Sequence, residues 1–121
     1  MPYFQKKPVV IVAEQFDSER TPWPKGVVAW NPKYAQRMHP ETLSEWEARL
    51  GAYPVPRDMS WGFIPTLEGA HHVIHGDWIV TGTAGEIYPV KDKIFRQIYN
   101  PYNPDSNMIQ SWELYESRQR V

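Results

Sequence analysis

Three histidines, at positions 71, 72 and 75, form the histidine cluster of this chain and are a candidate for chemistry. Imidazole is a common metal ligand and also titrates near neutral pH. On a strand, His71 and His75 would point to one side and His72 to the other. A metal site would need converging ligands such as Asp77 or Glu68, and the spacing matches no standard metal signature. The pattern therefore favours a solvated strand face and no assigned metal ligand, with a metal site or a pH response as alternatives.

A second candidate for chemistry is the carboxylate pair Asp77 and Glu86, each of which follows a glycine at the start of a predicted strand. Two carboxylates on neighbouring strands can act as general acid and base when their environments differ. Aspartate after glycine is also typical of turns, where its side chain accepts hydrogen bonds from backbone amides. The turn role is favoured, so no catalytic residue is assigned and an enzyme is the less favoured class.

Aromatic and basic residues interleave in the same region, at Trp78, Tyr88, Lys91 and Arg96. Such a set can stack on a base and hold a phosphate, which predicts a site for a nucleotide-like small ligand. The alternative is that Trp78 and Tyr88 form an aromatic pair inside the core. We expect the core role for the two rings, and keep the four residues as the candidate ligand site.

Composition limits the function classes further. A chain of 121 residues forms one domain, and its 13 basic and 14 acidic residues leave a net charge of -1. No broad attraction to extended nucleic acid or to an anionic membrane follows from that charge. Cysteine is absent, which excludes disulfides and thiolate chemistry and favours the cytoplasm. No apolar run reaches the length of a signal peptide or a membrane span, so we predict a cytoplasmic protein. We assign no cofactor.

The first half of the chain predicts two strands, a loop between them and a helix. Residues 8–16 are rich in β-branched side chains and apolar on both faces, which predicts a central strand. Prolines break residues 17–25, and the apolar run of residues 27–30 predicts a short strand. Pro40 and Glu41 suit the first turn of a helix over residues 40–50, on which Leu43, Trp46 and Leu50 share one face.

The second half predicts a β-meander followed by a helix. The expected strands are residues 61–67, 70–74, 78–81 and 86–90, joined by glycine-containing turns. Pro65 would place the first of them at a sheet edge or produce a bulge in it. A helix over residues 92–99 would bury one stripe, and residues 108–115 alternate as a last strand. These elements predict a single α+β domain with an antiparallel β-meander of about five to six strands and two short helices.

Three segments of the chain carry motifs that are specific when they are taken together. They are the start at residues 6–15, the turn at residues 64–69, and the block from Gly76-Asp77-Trp78-Ile79 through Gly85-Glu86, Tyr88-Pro89 and Lys91 to Ile94-Phe95 and Tyr99. Together these segments resemble a widespread family of small tailed-bacteriophage and prophage proteins. The resemblance implies a phage-encoded, cytoplasmic accessory protein and carries over no catalytic residue. Against that pattern, residues 17–60 are an insertion that holds the helix near 40–50, and residues 100–121 are a C-terminal extension. Val90 stands where many members have a cysteine.

Aromatic residues in the insertion and directly after it are the candidates for an interface. They are Trp23, Trp30, Trp46, Tyr53 and Trp61. Tryptophan and tyrosine anchor many protein interfaces, but they also fill small cores. The sequence therefore predicts a small phage accessory protein that acts by non-catalytic binding to a host or phage protein, or by forming a homo-oligomer. The alternatives are a protein that binds or sequesters a nucleotide or other small ligand, and a small hydrolase or metal enzyme that uses Asp77, Glu86 and the three histidines.

Overall fold

The computed structural model describes residues 2–5, 7–48, 62–66 and 69–119. Within these ranges the chain forms eight strands, three α-helices and one 3-10 helix. In chain order they are β1 (Val12–Gln15), β2 (Val28–Ala29), the 3-10 helix (Pro32–Arg37), α1 (Pro40–Ala48), β3 (Gly62–Thr66), β4 (Gly69–Val73), β5 (Trp78–Thr81), β6 (Ile87–Val90), α2 (Asp92–Ile98), β7 (Tyr102–Asn103), β8 (Met108–Ile109) and α3 (Trp112–Gln119). The predicted α+β class is confirmed.

Three antiparallel sheets contain all the strands of the described ranges, in the orders β1-β5-β6, β2-β3-β4 and β7-β8. The β5–β6 hairpin pairs Trp78 with Val90 and Thr81 with Ile87. On its other side, β5 pairs with β1, and β1 lies at the edge of this first sheet. The prediction of a central first strand was wrong: β1 is an edge strand that contributes Ala13 to a core on one face, while Val12 on the other face is exposed.

The two cores lie on opposite faces of the β1-β5-β6 sheet. One core contains Phe16 and Ile79 and is shared with the β2-β3-β4 sheet. The other contains Trp78, Val80 and Phe95 and lies under the C-terminal helices. Since successive strand residues face opposite sides, Ile79 turns to one core while its neighbours Trp78 and Val80 turn to the other. The predicted packing of the helix after β6 against one sheet face is therefore confirmed.

The β2-β3-β4 sheet shows how a proline-containing strand is accommodated. Although β3 lies between β2 and β4, its pairing with β2 involves only Gly62 and Phe63. Pro65 pairs with Ala70 of β4 alone, so its missing N–H leaves no gap in the β2 ladder. The predicted edge position of this strand was therefore wrong, because β3 is the middle strand of its sheet, and its register with β4 runs through Pro65 without a bulge. A side chain at Gly62 would lie 2.4 Å from Val27, so the close approach of these strands requires glycine.

The C-terminal extension differs most from its prediction. Only Met108 and Ile109 of the expected last strand are extended, and α3 follows them, so the described chain has a third α-helix that the sequence did not suggest. The Trp112 Nε1 donates to the carbonyl of Tyr99 at 2.9 Å. Trp112 and Tyr115, three residues apart on α3, both pack on the core around Trp78. That helical spacing was hidden by an apolar–polar alternation that also fits a strand.

Among the described helices none is long and apolar enough to cross a membrane.

Candidate functional site

The predicted ligand site, Trp78 with Tyr88, Lys91 and Arg96, lies where α2 meets the first sheet. Trp78 is buried and stacks on Phe95, with ring centroids 4.5 Å apart and planes 11° apart. Tyr88 is half-buried beside the same core, opposite Val80 rather than opposite Trp78. The two rings therefore contact the core separately and not as a directly opposed cross-strand pair.

Arg96 makes several contacts within the molecule. Its Nε donates to Asp92 Oδ1 at 2.8 Å, and its Nη1 donates to Glu116 Oε1 on α3. The guanidinium also lies over the Trp112 ring, 4.6 Å from the ring centroid. Two carboxylates and an aromatic face thus hold the group that would have to grip a phosphate, and a ligand would have to displace them.

Asp92 connects this arginine to the buried indole, because its Oδ1 also accepts a hydrogen bond from Trp78 Nε1 at 2.8 Å. Burial acts to raise the pKa of the Asp92 carboxyl, but the hydrogen bonds from Trp78 and Arg96 and the charge of Arg96 outweigh it and lower the pKa. The Asp92 hydrogen bond is the main cause that raises the pKa of Arg96. The network favours both charged forms and ties α2 to the sheet below it.

Tyr88 belongs to the same helix–sheet junction. Burial, followed by a hydrogen bond with Tyr99, raises the pKa of the Tyr88 phenol. The phenol therefore stays protonated at neutral pH and can donate a hydrogen bond, but it offers no nucleophile there. Its position beside Val90 and Tyr99 in the core is that of a structural residue.

Lys91 pairs with Asp77, the first of the two candidate carboxylates. Asp77 is only 2% exposed, and its two oxygens accept hydrogen bonds from Lys91 Nζ at 3.1 and 3.0 Å. The same carboxylate accepts from the backbone N–H of Ile74 at 3.0 Å across the turn that contains Gly76. Gly76 has a φ of 95°, which glycine adopts without steric cost. The expected turn role of Asp77 is therefore confirmed, and it fixes the start of β5.

Glu86 lies at the opposite end of the β5–β6 ladder from Asp77. Asp77 precedes Trp78, which pairs with Val90, whereas Glu86 precedes Ile87, which pairs with Thr81. The two carboxylates therefore do not share one cleft, because the starts of two antiparallel strands lie at opposite ends of the pair. Glu86 instead accepts a hydrogen bond from the backbone N–H of Ala84 within its own turn.

The histidines are dispersed around β4 and the turn after it. His71 and His72 are exposed neighbours on β4 and therefore point to opposite faces, with the His72 ring 6.4 Å from that of Trp30. His75 lies in the following turn, where its Nδ1 is 3.5 Å from Asp17 Oδ1. No group of three or more histidine, aspartate or glutamate side chains able to hold a metal occurs among the residues that the structure describes.

The predicted interface tryptophans lie in or against the first core. Trp23 is 1% exposed and packs edge-on against Phe16. Trp30 packs on Phe63, with ring centroids 4.2 Å apart, and Trp46 is half-buried against the same core. Tyr53 and Trp61 lie outside the described residues. Of the five candidates, Trp23 is therefore a core residue, and it presents no surface to a partner.

A cavity of about 280 Å³ opens beside Trp46, between α1 and the strands β2, β3 and β6. Its lining includes Thr42, Glu45, Ile64 and Ile87. Thr42 accepts a hydrogen bond from the backbone N–H of Gly26 at 2.8 Å, so its oxygen is already engaged. None of the four predicted ligand-site residues lines this cavity, so the cavity is separate from the predicted ligand site.

Large apolar side chains are instead exposed on two other surfaces, which the sequence did not single out. The first, which we name the N-terminal apolar edge, consists of Tyr3, Phe4, Val9, Val10 and Val12. The second, the C-terminal apolar surface, consists of Ile94 and Ile98 on α2, Met108 and Ile109 on β8, and Leu114 on α3.

Ile94 and Ile98 correct the prediction that α2 buries one continuous apolar stripe. Phe95 is the only residue of this helix that is buried within the described chain. The sequence carried no signal for this exposure, since Ile94, Phe95 and Ile98 lie within about 100° of one another around the helix, an arc that a helix commonly buries. Exposed apolar side chains at i and i+4 form a contiguous patch of the kind that marks protein contacts.

The chain matches no family model, no curated protein and no solved structure.

Proposed function

We propose that this chain is a small accessory protein of a tailed bacteriophage or prophage that acts in the host cytoplasm by non-catalytic binding to a host or phage protein. The observation that carries the proposal is the C-terminal apolar surface. Its five side chains lie on α2, β8 and α3, and each is exposed to solvent. Exposed apolar side chains such as Ile94 and Ile98, one turn apart on α2, are typical of an interaction site.

The positions of α2 and α3 support a single docking surface. The two helices are tied together by the ion pair of Arg96 with Glu116 and by the stacking of Arg96 on Trp112. Both helices are anchored on the same buried core through Phe95 and Trp112. The outward side chains are therefore presented by a rigid layer, which reduces the ordering cost that binding would otherwise carry.

The polar groups support binding rather than catalysis. Asp77 is engaged with Lys91 and Ile74, and Glu86 lies at the other end of the hairpin. Arg96 is held by Asp92 and Glu116. A general acid–base pair needs two groups that reach one reacting centre, and Asp77 and Glu86 do not meet that need.

Co-purification from infected cells tests the proposal. Tagged wild-type protein and the double variant Ile94→Asp, Ile98→Asp would be recovered in parallel, and the retained proteins would be identified by mass analysis. We expect one protein whose recovery falls about tenfold or more with the variant, since two apolar anchors each contribute about 1 kcal/mol or more to such contacts. Purified partner should then bind the wild-type chain directly in calorimetry.

Gln97→Asp is the matched control, because it adds a charge to the exposed side of the same helix without removing an apolar group. Both proteins should unfold within a few degrees of the wild type, as is typical of surface substitutions. Equal recovery of every retained protein by the wild type and the double variant would show that this surface does not mediate binding.

A further inference from the structure

The free edge of β1 is the second surface without a partner in the described chain. The backbone N–H of Phe16 donates to the carbonyl of Asp77 at 2.7 Å, and the carbonyl of Phe16 accepts from the N–H of Gly76 at 2.8 Å. Backbone polar groups alternate in direction along a strand, so the even-numbered positions of β1 face β5. Ala13 and the flanking Ile11 consequently direct their N–H and C=O groups away from the sheet.

That outward row has few of the features by which proteins protect an edge strand. Such features include proline, charged side chains and bulges. Pro8 precedes β1, and in the continued alternation of the strand it falls on the even-numbered side, so it removes no donor from the outward row. Glu14 carries the one charge of β1, and Val10 and Val12, two residues apart on the same face, are both largely exposed.

We propose that a second copy of this chain pairs with β1 at this edge, antiparallel and about a twofold axis at Ile11. In this register Val10 lies opposite Val12 of the second copy, and Val12 lies opposite Val10 of the second copy. The outward-facing rows of both chains then hydrogen-bond to each other. The two three-stranded sheets become one six-stranded sheet, and the pairing removes both free edges.

Charge and side-chain pattern select this register. Glu14 lies opposite the uncharged Pro8, and the two Glu14 carboxylates stand about 20 Å apart along the strands. A shift of the axis by one residue would place Val12 opposite Pro8 or Val10 opposite Glu14. Valine pairs across antiparallel strands are stabilising, whereas a valine opposite a carboxylate forfeits that contact. The strand is therefore complementary to itself in one register.

The exposed area is of the size that a dimer needs. Tyr3 and Phe4 precede the strand and are 95% and 93% exposed. Two aromatic side chains can bury about 300–500 Å² together, to which the valines and the backbone edge add. A stable interface takes about 800 Å² from each partner. The N-terminal apolar edge can thus supply an interface of standard size without the C-terminal apolar surface.

Sedimentation of the purified wild-type chain tests the dimer. We expect twice the mass of one chain at micromolar concentration, and the mass of a single chain for Val12→Lys, which places an ammonium on the pairing face. Ile109→Lys is the matched control, because Ile109 is 71% exposed and Val12 is 72% exposed. A monomeric wild-type chain would overturn the proposal, whatever other protein the edge retains, and so would a Val12→Lys chain that remains dimeric.

Disulfide formation tests the register, since the chain has no cysteine of its own. Directly opposed residues of a non-hydrogen-bonded antiparallel pair have Cα atoms about 4.5 Å apart, within the range a disulfide spans. Val10→Cys and Val12→Cys proteins, mixed and mildly oxidised, should therefore cross-link to each other. Either variant alone should cross-link poorly, because its two identical positions lie about 8 Å apart. A strong cross-link of Val10→Cys to itself, with none in the mixture, would overturn the register.

These results are independent of the proposed function. They measure the mass and cross-linking of the purified chain at the N-terminal apolar edge, whereas the proposed function is tested at Ile94 and Ile98 with material from cells. A dimer without another partner, or a partner without a dimer, would separate the two proposals.

Discussion

Replacement of Trp23 tests most directly whether the aromatic residues of the insertion hold the core or serve an interface. The indole is 1% exposed, and its centroid lies 5.0 Å from that of Phe16 with the planes 79° apart. Its Nε1 donates to the carbonyl of Ser18 at 3.0 Å. An interface residue would have neither this burial nor these contacts in the free protein.

The magnitude follows from those contacts. Truncation of a buried tryptophan to alanine costs about 3–5 kcal/mol of the free energy of unfolding. The lost hydrogen bond adds little, because the Ser18 carbonyl still accepts from Arg37 Nη1 at 2.8 Å. A domain of this size has a total stability of about 5–15 kcal/mol, so Trp23→Ala should remove a large share of it. The thermal midpoint should fall by about 10–20 °C.

Urea and thermal unfolding of Trp23→Ala, Trp23→Phe and Trp46→Ala would measure the effect. Trp23→Phe keeps a ring against Phe16 and should cost about 1–2 kcal/mol. Trp46 is half-buried beside the cavity, so Trp46→Ala should cost less than Trp23→Ala. The core assignment would be refuted if Trp23→Ala unfolded within about 2 °C of the wild type, because no buried indole can be removed at that cost.

Two further outcomes are expected. Gly62→Ala should destabilise the fold by about 1–3 kcal/mol in urea unfolding, because the new Cβ would lie 2.4 Å from Val27; a neutral effect would contradict the close approach. Asp92 has a lowered pKa, so the stability it adds is present above its ordinary value of 3.8 and is lost as pH falls through the lower folded-state value. The difference in unfolding free energy between the wild type and Asp92→Asn should therefore be largest at neutral pH and shrink below pH 3.8, and a constant difference would contradict the network with Trp78.

Local sequence was sufficient for the elements between residues 69 and 98. Gly76 adopts a positive φ, and Asp77 bonds the Ile74 amide, so this turn is determined by residue types within a few positions. The start of α2 after Lys91 and the two strands before it were predicted within about one residue. Structure that depends on interactions between residues at most four positions apart can be predicted from the local sequence.

The candidate site could be predicted only in part. Trp78, Tyr88, Lys91 and Arg96 do lie at one junction between α2 and the sheet, as their spacing suggested. The ion-pair partner of Arg96 on α3 could not be inferred from the sequence. Glu116 lies 20 residues away, and the alternating pattern before it predicted a strand instead of this helix. The role of these four residues toward a ligand stays a prediction.

The sequence by itself determined the α+β class, the order of most elements and the turns, because those depend on backbone preferences and on side-chain periods read over a few residues. Tertiary structure alone decided which apolar residues are covered. Trp23 is enclosed by Phe16 and its neighbours, while Val12 and Ile98, no less apolar in the sequence, remain exposed. A period shows which side chains share a face, but only the packing of distant segments determines whether another element covers that face.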